Sequence, residues 1–169
     1  MSIMPRDLRR RNVIGLLVVL AVLAAYYLTI TAPDLEHYRA RLRPPVVADA
    51  GGSAVAGDLT WRIAEVQRLD QLPGPLAQPL PAGTVAEVVT ISRTGSGPDV
   101  ACNGVLTDGT RRWQAEGVGT RSVLPPDGTT TNCYAPGPVQ FTFIVPRDAR
   151  PSAVDVVVLD ERIMVRLEL

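Results

Sequence analysis

The chain has 169 residues, 46% of them hydrophobic, with seventeen basic and seventeen acidic side chains and a formal net charge of zero. Every basic residue is an arginine, which excludes a Schiff-base lysine, a Ser–Lys dyad and a phosphate-loop lysine. Four arginines but only one carboxylate precede residue 33, so the remainder is slightly acidic and lacks the basic footprint of a nucleic-acid binder.

The first element is a charge-free run from Asn12 to Pro33 whose centre, Val13 to Ile30, is almost entirely Val, Leu, Ala, Ile and Tyr. As a helix, eighteen such residues cover roughly 27 Å, the hydrocarbon thickness of a bilayer. A cleaved signal peptide is the alternative, since a basic stretch precedes the run and Ala21, Ala24 and Ala25 lie within it. The run continues through Tyr26, Tyr27, Leu28 and Ile30, longer than a signal core, and the Tyr pair suits a membrane–water interface. An anchor is therefore expected. No Cys follows the run to carry a lipid. Arg6, Arg9, Arg10 and Arg11 resist translocation and favour a cytoplasmic N-terminus with the body outside. Arg39, Arg41 and Arg43 follow the run and narrow that asymmetry, although the N-terminal cluster lies closer to its helix end.

The expected organisation is a basic tail (1–12), a transmembrane helix (13–32), a juxtamembrane helix and linker (33–56) and an extracytoplasmic β-sandwich (57–169). Thr31 and Asp34 have the spacing of a capping box, with Pro33 tolerated in the first turn. Leu35, Tyr38 and Leu42 follow at i, i+3 and i+7, a narrow apolar stripe. It would dock on a partner's transmembrane helix, on this chain's own sandwich, or rest at the membrane surface. Pro44-Pro45 ends the helix, and the stretch from Asp49 to Ala54 reads as a flexible linker.

Beyond Gly57 the period changes to two. Leu59, Trp61 and Ile63 alternate with Thr60, Arg62 and Ala64, and six further strands are expected at 85–91, 100–106, 111–115, 139–145, 154–159 and 162–169. In the last, Ile163, Val165, Leu167 and Leu169 should face one way and Arg162, Arg166 and Glu168 the other. Asp108-Gly109-Thr110 and Asp127-Gly128-Thr129 read as tight turns. About seven short strands imply an all-β antiparallel sandwich with one real core. Cys102 and Cys133, the only cysteines, suit an oxidising compartment and a disulfide that staples a Gly/Pro-rich loop. In the loop-closure model such a bond contributes roughly 3–4 kcal/mol.

The residues Gly57-Asp58-Leu59-Thr60-Trp61, Ala82-Gly83-Thr84-Val85-Ala86-Glu87-Val88-Val89, Leu106-Thr107-Asp108-Gly109-Thr110-Arg111-Arg112-Trp113 and Phe141-Thr142-Phe143-Ile144-Val145-Pro146 carry a resemblance. Residues 57–169 resemble the telokin-like immunoglobulin-fold domains of actinobacterial secreted and membrane-anchored proteins. The resemblance implies an immunoglobulin-like sandwich outside the cytoplasm and transfers no catalytic set. The cysteines stand closer together than those of an antibody domain, and Trp61 precedes both. A local brace is therefore expected in place of an inter-sheet pin.

No nucleophile, base and orienter recur at a useful spacing, and the single histidine, His37, has no partner set. Two cysteines and one histidine make no structural zinc site, so no catalytic residue, metal site or cofactor is expected. The expected function is a non-enzymatic accessory or interaction module tethered to the membrane, with a membrane or envelope protein as partner. Its contact residues are sought in the Pro-rich loop (Leu72, Pro73, Pro75, Leu76, Pro79, Leu80), the 116–138 segment and the Leu35, Tyr38, Leu42 stripe. The loop's polyproline character would leave little entropy to lose on binding, though it would also serve as a passive crossover. The alternative is a cation or small-ligand binder, with Asp99, Asp108 and Asp127 supplying oxygen-rich turns. Asp160-Glu161 is the one adjacent acidic pair, and neighbours on a strand point to opposite faces. Arg111-Arg112 before Trp113 offers either an anion contact or a solvated strand end.

Overall fold

Helical backbone runs unbroken from Arg6 to Leu42 in the computed structural model, which describes residues 6–75, 77–96, 101–135, 137–158 and 162–169. Helix α1 (Arg6–Tyr26) passes through a π-helical turn (Tyr27–Thr31) into α2 (Ala32–Leu42). Proline accounts for the widened turn: Pro33 has no N–H to offer the carbonyl four residues back. The path opens just ahead of it, so that the Ala32 N–H reaches back five residues to the Tyr27 carbonyl. This overturns the cap expected at Thr31 with Asp34. Ala32 holds helical dihedrals (φ −67°, ψ −45°), and a residue inside a continuing helix cannot begin one. The segment Arg10–Glu36 is long and apolar enough to cross a membrane, and none of its most apolar window is buried by protein.

The helix belongs to one compact unit, Met1–Arg39, and the sandwich to a second, Ala40–Leu169. Among the described residues, nine strands build the second: β1 (Val47–Ala48), β2 (Ala54–Ala56), β3 (Leu59–Leu69), β4 (Thr84–Gly95), β5 (Cys102–Thr107), β6 (Arg112–Gln114), β7 (Val139–Pro146), β8 (Ala153–Val158) and β9 (Ile163–Glu168). One sheet has the order β1-β9-β8-β5-β6 and the other β2-β3-β4-β7. Taking β3, β4 and β7 as A, B and E, and β5, β8 and β9 as C, F and G, this is the partition of an immunoglobulin-like sandwich.

All seven expected strands are present, and two more precede them. Residues 47–56 were expected as linker, yet β1 pairs in parallel with β9 and β2 pairs with β3. The Gly pair serves as a turn between them, with the Gly52 N–H donating to the Asp49 carbonyl at 2.8 Å. Ala48, Ala54 and Ala56 are buried, so the sandwich starts well before Gly57. The β2–β3 hairpin turns on Gly57 and Asp58, both at φ 59°, the left-handed pair that a type I′ turn requires.

Leu59, Trp61 and Ile63 face the core as their alternation demands, and Trp61 is fully buried. Its indole N–H donates to the Ala56 carbonyl at 2.9 Å. The last strand departs from expectation. Val156 pairs with Val165 but Val157 pairs with Ile163, leaving Met164 as an extra residue. This bulge turns Ile163 away from Val165 and Leu167. Ile163 instead joins Val105 and Val157 in a small second cluster, while Met164 packs on the main core.

The two sheets approach closely at Gly104 on β5. A Cβ there would lie 2.7 Å from the Phe141 ring and 2.9 Å from that of Phe143. Replacing Gly104 by Ala should therefore cost about 1–3 kcal/mol through overpacking. Gly117, where an added Cβ meets nothing within 4 Å, is the control. Gly117→Ala should stay within about 0.5 kcal/mol in denaturant unfolding. Equal losses at the two sites would refute the packing account.

Candidate functional site

The Pro-rich loop and the segment after β6, singled out separately in the sequence, meet in the structure. The segment 115–124 is hung on β7: the Glu116 N–H donates to the Thr142 carbonyl at 2.8 Å, and the Val123 N–H to Thr142 Oγ1 at 3.1 Å. Gln140 Nε2 donates to the Val123 carbonyl at 3.0 Å. The segment closes on itself where the Ser122 hydroxyl donates to the Gly119 carbonyl at 3.0 Å. The Pro-rich loop then docks on it through the Gln78 N–H, 2.9 Å from the Thr120 carbonyl, and Arg121 Nε reaches Gln78 Oε1 at 3.4 Å.

Between the two segments lies an open cleft of about 400 Å³. Pro73, Pro75 and Ala77 wall one side, Val118 and Leu124 the other, and no described wall residue carries a charge. Val118 and Leu124 are 74% and 78% exposed, the highest values among the exposed large apolar side chains. The contact set named for the loop is thus divided. Pro73 and Pro75 face the apolar cleft. Leu72, Pro79 and Leu80 line a separate, more polar hollow of about 470 Å³ that includes Asp70 and Arg147. Leu76 lies outside the described residues. In the stripe on α2, Leu35 and Tyr38 are exposed, while the side chains of Leu42 and His37 are outside the description.

A third hollow, of about 600 Å³, opens between the residues just before β1, β2 and the start of β9, with Met164 and Val55 in its wall and Arg43 and Arg162 beside them. The sequence offers no sign of it, because it depends on the two short leading strands and on the bulge in β9.

Several charged side chains are engaged within the fold. Asp155, fully buried on β8, accepts from Arg166 Nε at 2.6 Å and NH2 at 2.9 Å, and from Arg112 NH2 at 3.2 Å. Arg112 therefore braces the sheet, and Arg111 lies over the Trp113 ring at 5.2 Å. Glu87 is buried opposite Arg68, whose NH1 donates to Glu87 Oε1 at 2.8 Å and whose other donations reach the carbonyls of Arg147 and Ala149. Burial pushes the Glu87 carboxyl above its ordinary range, and the Arg68 charge opposes that rise.

The cation reading named three turn aspartates. Asp99 lies outside the described residues, as do Asp160 and Glu161. Asp108 is directed inward: its Oδ1 accepts from the N–H groups of Arg111 and Thr110 at 2.7 and 3.0 Å, and its Oδ2 from Arg111 Nε at 2.8 Å. Asp127 sits in the turn before Gly128. Among the described residues, no three His, Cys, Asp or Glu side chains gather to hold a metal ion.

No protein-family model matches this chain, and no curated protein matches it. Among solved structures it is similar to an uncharacterised β-sandwich protein from Clostridium difficile 630, at 10% identity, over 73% of this chain and 93% of that one, with a TM-score of 0.39. That similarity assigns nothing to the cleft.

The turn at Asp108 sets a pH dependence. Hydrogen bonds from the Arg111 and Thr110 amides, then from the Arg111 side chain, hold its carboxyl at about 2 against an ordinary 3.8. A depressed native value makes the unfolded chain the better proton acceptor. The stabilisation is complete above about pH 4 and disappears as the pH falls toward 2. Asp108→Asn should flatten this part of the acid unfolding profile. An unchanged profile would show that the carboxylate contributes nothing there.

Proposed function

We propose that this chain is a membrane-anchored, extracytoplasmic accessory module that binds a membrane or envelope protein and performs no chemistry of its own. The carrying observation is the uncharged cleft between the Pro-rich loop and the 116–124 segment, which presents Val118 and Leu124 to solvent on hydrogen-bonded loops. Loops held by a rigid sandwich are where such modules bind, and preformed loops lose little entropy on doing so. The engagement of Asp155, Glu87 and Asp108 in internal pairs supports a binding role over a catalytic one.

The apolar helix supports anchoring, and the arginines before it support a cytoplasmic N-terminus with the sandwich on the outer side. The disulfide between Cys102 and Cys133 agrees with that side of the membrane. The strand partition is consistent with the telokin-like immunoglobulin class that residues 57–169 resemble.

Removing the Pro-rich loop would also uncover Thr120, so a point change separates binding from folding more cleanly. Leu124→Arg places a charge in the cleft from a site that is already 78% exposed. In cross-linked native membranes, the full-length Leu124→Arg chain should lose its specific co-purifying protein, with a melting temperature within about 2 °C of wild type. Full retention of that protein by the variant would rule out the cleft as its site.

A further inference from the structure

The segment that carries Cys133 is held by more than its disulfide. Arg93 on β4 is 8% exposed, and its guanidinium stands 5.6 Å from the centre of the Trp61 ring. From there it donates through Nε to the Gly137 carbonyl at 2.8 Å, through NH1 to the Cys133 carbonyl at 3.4 Å, and through NH2 to the Ala135 carbonyl. Three carbonyls, two residues apart in turn, thus converge on one planar cation. The base of the segment is fixed separately. The Thr130 N–H donates to the Pro138 carbonyl at 3.0 Å, the Gln140 N–H to the Thr130 carbonyl at 2.7 Å, and the Thr130 hydroxyl to the Asn132 carbonyl at 2.5 Å.

These hydrogen bonds involve no sulfur. Cys133 is 1% exposed, and its Cα lies 5.3 Å from that of Cys102 at the start of β5. We infer that Arg93 is a positioning residue that seats Cys133 beside Cys102 before the bond forms, so that the disulfide closes on a loop already in its native place. A lysine could not do the same, because a single ammonium cannot span carbonyls that a guanidinium fork meets from three sides. Closure exchanges the two thiols for one disulfide while one glutathione disulfide is reduced to two glutathione thiols. In the folded, reduced chain the equilibrium of that exchange measures how well the cysteines are held together.

The test equilibrates the full-length protein in detergent micelles with mixtures of reduced and oxidised glutathione. Arg93→Lys should lower the effective concentration of the two thiols at least tenfold. Arg68→Met breaks the Glu87 pair away from this loop and serves as a control for general destabilisation. It should leave the value within threefold. The same inference requires that a chain with Cys102→Ser and Cys133→Ser keep slow amide exchange at Gln140 and Thr130, and slow exchange at Tyr134, whose N–H is held by Asn132 Oδ1. That second measurement can overturn the inference even if Arg93→Lys does not fold. An effective concentration unaltered by Arg93→Lys, or free amide exchange in the serine pair, would overturn the inference.

Discussion

Trp61 is the point on which the sandwich turns. Its side chain is entirely buried, its N–H is tied to the Ala56 carbonyl across the β2–β3 hairpin, and the Arg93 guanidinium lies over its face. A large ring in this position fixes the separation of the two sheets and supplies a surface for a buried cation. Burial of a lone guanidinium would be strongly unfavourable, and here three backbone carbonyls and an aromatic face replace the lost water. Trp61 thereby links an edge hairpin, a central strand and the loop that enters β7. The core packing around Gly104 and Phe141 lies in the same interior.

Much of this architecture was legible in the sequence because period-two alternation is a strong signal. Leu59, Trp61 and Ile63 on β3 announced both their strand and the face they bury. The failures share a cause. At Ile163 the alternation is correct up to the bulge, and one inserted residue reverses every assignment on one side of it. At 47–56 the strands are two and three residues long and made only of Val and Ala, too short for a period to register. At Thr31 the capping pattern was present, but an apolar helix already in progress overrode the local signal.

The site was legible in composition but not in geometry. The prolines at 73, 75 and 79 and the segment after residue 115 marked where an interaction surface was expected. Nothing in their spacing said that the Gln78 N–H would meet the Thr120 carbonyl, because that contact joins residues 42 positions apart through tertiary structure alone. Arg93 was equally silent: it lies beyond the 85–91 run expected as a strand, and no pattern in the sequence set it apart. Only the loop carbonyls gathered around it reveal its role.

The order of strands has a further consequence for self-association. Open sheet edges invite pairing between copies, and this fold keeps them short. The outermost strands β1, β2 and β6 are two, three and three residues long. Among the described residues the one long outermost strand, β7, has its rim occupied: the Glu116 N–H bonds the Thr142 carbonyl, and the Gln140 N–H bonds Thr130. The segment that walls one side of the cleft therefore also acts as a guard against runaway strand addition. A change that frees it from β7 would expose a template for aggregation as well as dismantle the cleft.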